Sequence, residues 1–438
     1  MSDLDPDQKL QEVDQELPQE PTAMGVESKR SWLPKQLSAF RHRNYRLFFS
    51  GQLISLTGTW LQSVALGWLV YELTGSQLLL GTVSAIGALP IFFLSLPAGI
   101  LIDRINKRDL LIATQTTAML LAFALAGLTH WRLITVYWIV LLGFLLGVVN
   151  AFDAPARQSF VIDMVGREDL PNAIAMNSAM FNGARIVGPA MAGILLAITG
   201  IAGVFFLNGL SFIAVIAGLL LMNVPRMPPR VAGNAWLDIK EGLQFVRGHR
   251  RVRGLLILTA VVSIFSMSYS VLMPVFAKDI LKVGAGGLGF LMSMAGVGAL
   301  IGAATISSLG DFRGKGRLLL VGNLTFSAML ICFSFSRIWP LSLGILFVAG
   351  WGMMINMALT NTLIQTAVPD ELRGRVMSLY TWMFLGMAPI GSFQAGAIAH
   401  LLGAPHALQI GAAICAVTAI SLSPMFLTGQ QAAEADRR

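Results

Sequence analysis

The sequence predicts an all-α integral membrane protein whose twelve transmembrane helices form two six-helix pseudo-repeats. Three observations carry that expectation: recurring apolar runs long enough to cross a bilayer, basic residues gathered on one side of them, and motifs of the first half that return in the second. Of the 438 residues, 55% are hydrophobic and 12% charged, about half the charged fraction of an ordinary soluble domain. About 20 apolar residues suffice for a helix to span the hydrocarbon core. The runs are continuous and lack the period-2 alternation of a barrel strand.

The elements follow in chain order. Residues 1–40 read as a disordered cytoplasmic tail, acidic and rich in Gln and Pro to residue 31, without the basic start of a signal peptide. The first half, 41–222, holds apolar runs at 46–71, 77–102, 109–129, 134–155, 172–198 and 201–222. A cytoplasmic linker, 223–253, contains "AWLDIKEGLQFVRGHRRVR", in which Trp236, Ile239, Leu243, Phe245 and Val246 fall near one helical face. Such a basic amphipathic helix is expected to lie along the membrane surface. The second half, 254–428, holds runs at 254–277, 285–309, 317–336, 339–363, 374–400 and 405–427, and 429–438 is a second cytoplasmic tail. Cys332 and Cys415 both fall inside runs and read as small apolar fillers.

The net charge of +8 is explained by placement. With both termini cytoplasmic, 26 of the 31 Lys and Arg lie in cytoplasmic segments. The opposite loops hold only Arg132, Lys278, Lys282 and Arg337, and Arg185 alone lies far from the ends of a run. This is the positive-inside pattern, and it calls for a lipid bilayer and no nucleic acid. The halves also echo each other. "GILIDRINKRDLL" after run 2 returns in degenerate form as "SSLGDFRGKGRLLL" after run 8, and "GREDLPNAIAMNS" before run 5 as "VPDELRGRVMSLY" before run 11. The offsets, 208 residues from Asp103 to Asp311 and 202 from Leu170 to Leu372, nearly agree. Parallel six-helix repeats are a transporter architecture.

"GILIDRINKR" resembles the loop 2–3 signature of the major facilitator superfamily. "FDAPARQSFVIDMVGREDLPNAIAMNS" and "NGARIVGPAMAG" look like its branch of transmembrane secretion effectors, which contains the bacterial enterobactin exporter and macrolide efflux proteins. The resemblance covers residues 40–428 and implies alternating access around a central cavity lined by helices 1, 4, 7 and 10. It also implies that Gly99 lets helix 11 approach, and that Asp103 accepts from the N–H groups at that helix's start while Arg104, Lys107 and Arg108 hold the loop. Asp311 and Arg313 are the mates of that motif, and Asp153 is expected to pair with Arg104. Asn106 stands where the family has a turn glycine, as the residue next most tolerant of a left-handed conformation. "GARIVGPAMAG" loosely matches the family's helix 5 antiporter motif.

Arg185 is the one cation expected deep in the hydrocarbon, a functional candidate by default, and the expected coupling residue. Trp60, Gln62, Asn150, Tyr269, Trp351 and Asn356 are the candidate cavity residues. A Met- and aromatic-rich wall suits a bulky amphipathic solute. The five histidines are dispersed, and no Gly-rich phosphate loop followed by Lys-Ser or Lys-Thr occurs. An enzyme is therefore not expected, nor any metal or cofactor, and energy must come from an ion gradient, that of protons. The expectation is a monomeric exporter in the bacterial inner membrane, moving a siderophore-like metabolite or drug by proton antiport. An uptake symporter or a lysophospholipid flippase of the same fold is the alternative. Against simple antiport, run 4 lacks an early Arg, and no acid stands at the centre of runs 1, 4, 7 or 10.

Overall fold

The computed structural model describes residues 35–102, 104–223, 235–310 and 312–435. Asp103, Asp311, tail residues 1–34 and 436–438, and linker residues 224–234 lie outside the described residues. Among the described residues every regular element is a helix. The first four spans are α1 (Arg43–Thr74), α2 (Gln77–Ile102), α3 (Lys107–His130) and α4 (Val136–Val165). A helix bonds most of its backbone polar groups within itself, which the bilayer interior requires.

Residues Leu170–Leu221 run as 52 residues of helix with one interruption, Gly200 at φ 68° and ψ −178°. As a single rod this would reach about 78 Å, more than twice the thickness of a hydrocarbon core. Packing against α1 shows two antiparallel spans, α5 (170–199) and α6 (201–221). Near the start of α1, Tyr45 bonds Ala173 and Asn177, each at 3.0 Å. Two residues on, the Leu47 carbonyl lies 2.9 Å from where a Cβ on Gly218 would sit. The start of α5 and the end of α6 are thus level. The reversal needs a backbone conformation that only glycine adopts without strain. Its counterpart in the second half is Gly403 (φ 87°, ψ 151°).

The linker contains a helix at Ala235–Gly248, which sits on the start of a later span through a Glu241–Arg375 ion pair. The second half comprises α7 (Arg250–Ile280), α8 (Gly284–Leu309), α9 (Lys315–Phe335), α10 (Trp339–Ala367), α11 (Asp370–Leu402) and α12 (Ala404–Leu427). Within α7 and α11, residues Val262–Ser266 and Trp382–Gly386 widen into π-helix, a local bulge that recurs at functional sites.

We call the end of the bundle that carries His42, Arg104 and the α4–α5 turn the basic end. At the opposite end the two halves meet along two glycine seams. A Cβ on Gly81 of α2 would fall 2.5 Å from the Ser392 carbonyl and 2.7 Å from Gly396 Cα of α11. A Cβ on Gly289 of α8 would fall 2.3 Å from the Pro189 carbonyl and 2.8 Å from Gly193 Cα of α5. Gly81 and Gly289 are 208 residues apart, and Gly193 and Gly396 are 203 apart. The seams are mates under the same repeat that relates the motifs. Lipid offers no hydrophobic drive between helices, so close approach through small residues is what holds the halves together here.

Candidate functional site

The loop 2–3 motif is built differently from the sequence expectation in three respects. Asn106 is in an extended conformation (φ −63°, ψ 112°), not a left-handed one, and caps α3 by accepting from the N–H groups of Arg108 and Asp109 at 3.0 and 3.3 Å. A short polar side chain here serves the helix start, where four N–H groups need acceptors. Asp153 is buried and pairs with Arg157 one turn along its own helix at 2.9 Å, not with Arg104, which is exposed. Its other oxygen accepts from Thr114 and Gln115 of α3 at 2.9 and 2.7 Å. Asp153 therefore ties α4 to α3. Gly99, finally, meets nothing: a Cβ there would have no atom within 4 Å, so α11 does not approach it in this state.

Lys107 bonds Asp163 of α4 at 2.8 Å, and Arg108 donates to the carbonyls of Leu219 and Leu220 at 2.7 and 2.9 Å. Those carbonyls belong to the partially negative end of α6, a natural seat for a cation. Arg313 in the second half is exposed. At the same end, His42 bonds Asp169 at 2.7 Å and the Ala39 N–H donates to Asn172 at 3.0 Å. The Ser38 hydroxyl, and then the His42 ring, hold the Asp169 carboxyl below its ordinary value.

Between the halves at mid-depth lies a cavity of about 560 Å³, within the range of small-molecule sites. Trp60 of α1, Asn150 of α4 and Tyr269 of α7 stand on its wall, as expected, beside Ser63 and Met267. The remaining candidates do not. Gln62 accepts from Asn208 of α6 at 2.7 Å, Trp351 donates to Thr305 of α8 at 3.2 Å, and Asn356 is buried off the wall. From α10 only Met357 lines the cavity. Helices outside the expected four also contribute: Ser84 from α2, Phe181 from α5, Met292 from α8 and Phe384 from α11. Phe384 lies within the π-helical stretch of α11, and Tyr269 lies three residues beyond Val262–Ser266 of α7.

Arg185 lines this cavity from α5. It is 15 residues from the start of α5, about 22 Å along the axis. One guanidinium nitrogen lies 3.5 Å from Met353 Sδ, and the Tyr269 hydroxyl stands beside it. Four residues further, Pro189 has no N–H to give the Arg185 carbonyl. The exposed backbone there is met across the seam, where Ser293 of α8 donates to the Ile186 carbonyl at 2.9 Å. Arg185 is thus placed at the contact of the two halves. At the sealed end, Tyr71 of α1 bonds Asp279 of α7, with Lys278 over the Tyr71 ring at 5.4 Å.

The family model of transmembrane secretion effectors, a group of the major facilitator superfamily, matches residues 35–437. The chain belongs to that family. It is a membrane transporter, with the helical repeat and interhelical cavity such transporters share. Curated relatives include the staphyloferrin A transporter of Staphylococcus aureus, 25% identical over 370 residues, covering 83% of this chain and 92% of the relative. The enterobactin exporter EntS of Shigella boydii is 25% identical over 378 residues, covering 86% and 90%. The fold is shared with a bacterial homolog of the human lysosomal transporter Spinster in an inward-facing, unoccupied crystal structure (TM-score 0.70, 13% identity, 91% and 99% coverage). It is also shared with a bacterial homologue of the iron transporter ferroportin in its inward-facing state (TM-score 0.68, 16% identity, 89% and 98% coverage).

Proposed function

We propose that this transporter exports a small amphipathic compound, a siderophore-like metabolite or drug, across the bacterial inner membrane by proton antiport and alternating access. The observation that carries this is the cavity at mid-depth, walled by both halves and sealed at one end by two seams related by the internal repeat. A site on the interface of two repeats opens to either side when one half rocks against the other. With the basic loops cytoplasmic, the sealed end faces outward and the structure is the inward-facing state. Gly99 in open space fits this state, because its latch to α11, with Asp103 and Arg104, belongs to the opposite one. Asp311 and Arg313 form the weaker mate of that latch. The names of the relatives, a staphyloferrin A transporter and an enterobactin exporter, support cargo of that kind.

Arg185 is the coupling residue in this reading. It acts through the group that its guanidinium contacts, and a change in that group's charge biases the two states. The test is efflux of a fluorescent amphipathic dye or a catecholate siderophore from loaded cells, with and without a protonophore. Efflux that collapses with the protonophore supports antiport. Efflux indifferent to it removes proton coupling, and uptake in place of efflux makes the chain a symporter.

A further inference from the structure

Among the described residues, Arg185 has no counter-charge: its nearest partners are a thioether and a phenol, and none of the described residues that line the cavity is Asp or Glu. Among the described residues, no carboxylate lies within ion-pair distance of it. A guanidinium presents five N–H donors in a planar fork and stays charged at every accessible pH. Methionine sulfur is a weak acceptor, and most of that fork is left for something else to fill. A cation held at membrane depth without an anionic partner is costly. The rest of the wall is aromatic and thioether, with Trp60 and Phe181 in edge contact at 5.8 Å and Met292, Met357 and Phe384 facing from the second half.

Resting on the transport reading above, we infer that the cargo is an amphipathic anion whose carboxylate or phenolate head seats on Arg185. Its apolar or aromatic body then lies against Trp60, Phe181 and Phe384. The oxyanion fills the fork that the protein leaves open and neutralises the guanidinium, and the Tyr269 hydroxyl adds a donor from the other half. Arg185 comes from α5, Tyr269 from α7 and Met353 from α10, so a bound head group touches both halves and is sensed by their relative motion. Neutral analogues bind more weakly, and cationic ones more weakly still.

The test uses three fluorescent probes with the same body and different heads: dansylglycine (anionic), dansylglycinamide (neutral) and dansylethylenediamine (cationic). Their binding is titrated against the purified full-length protein in nanodiscs. Wild type should bind the carboxylate at least about tenfold tighter than the amide, the range of a charge-assisted bidentate contact. Arg185→Gln should erase that preference, the affinity for the carboxylate falling to that for the amide. Should Arg185→Gln fail to fold, Arg185→Lys carries the test: it keeps the charge without the fork, and the preference should fall severalfold without vanishing. Equal affinity for carboxylate and amide in wild type would overturn the inference and leave the cavity reading standing, as would a preference that survives in Arg185→Gln. No saturable binding of any probe to folded wild type would overturn the cavity reading and this inference with it.

Discussion

Replacing Gly289 with alanine tests the sealed end directly. The added Cβ would lie 2.3 Å from the Pro189 carbonyl, 2.7 Å from the Gly193 nitrogen and 2.8 Å from its Cα. All three are backbone atoms, so no side chain can swing aside, and α5 and α8 must separate. Ordinary contact begins at 3.4 Å, which requires a shift of about 1 Å. Overpacking of this kind costs about 1–3 kcal/mol, and it falls on the state in which the seam is closed. The population of that state should therefore drop relative to the opposite state by about 5- to 150-fold. The assay is labelling of Ser63→Cys on the cavity wall, in a background without Cys332 and Cys415, by an impermeant maleimide added from the sealed side. Gly289→Ala should raise the labelling rate severalfold or more. Gly344→Ala, where nothing lies within 4 Å, should leave it unchanged. A labelling rate and transport activity indistinguishable from wild type in a well-expressed Gly289→Ala variant would refute the seam as a gate.

Four further outcomes follow from the same geometry. Gly99→Val should act in the opposite sense, lowering labelling of Ser63→Cys from the sealed side, because its added atoms have space here and none in a state that brings α11 against it; no change leaves Gly99 without a gating role. Tyr71→Phe removes a bond to a carboxylate that joins the halves, worth about 1–3 kcal/mol, and should raise the same labelling rate, with Asp279→Asn giving a similar increase. Asp153→Asn strips Arg157 of its ion partner and should lower stability by about 2 kcal/mol, discounted because Arg157 is partly exposed; thermal unfolding in detergent checks this, and an unchanged midpoint contradicts it. The Asp169 carboxyl, held below its ordinary value, contributes stability that is present above the ordinary carboxylate range and lost as pH falls through the lowered value. The protection of amides at residues 35–42, taken relative to the intrinsic exchange rate at each pH, should fall on acidification below about pH 4 and hold above pH 5, and protection persisting to pH 2 would contradict the role of the Asp169 contact.

The spans were legible because a bilayer imposes one length and one composition on every helix. The α5–α6 reversal was legible because two apolar stretches cannot share one 52-residue rod. What sequence reading missed was rotation about the helix axis. Trp60, Ser63, Val64 and Gly67 recur at the spacing of one helical face, and all four line the cavity. Gln62, two residues from Trp60, points about 200° away and meets α6 instead. Asn356, one residue from Met357, points about 100° away from it, and Trp351 bonds α8. The contribution of α2, α5, α8 and α11 was also missed, although a signal existed. Gly81 with Gly289, and Gly193 with Gly396, share the offset of the recognised motifs and mark the helices that meet across the halves. Asn106 and Asp153 were assigned by motif position alone. Local chemistry decided both, an open helix start for the one and an Arg at i+4 for the other.

The most direct test of the account is flux through the purified protein in proteoliposomes under an imposed pH gradient. Vesicles are oriented with the basic loops outside, their lumen is acidified, and an amphipathic solute is supplied externally. The account predicts concentrative accumulation in the lumen that disappears when the gradient is collapsed and is lost in Arg185→Ala. Accumulation that persists without the gradient, or that requires the gradient reversed so that solute and protons move together, would contradict proton-driven export.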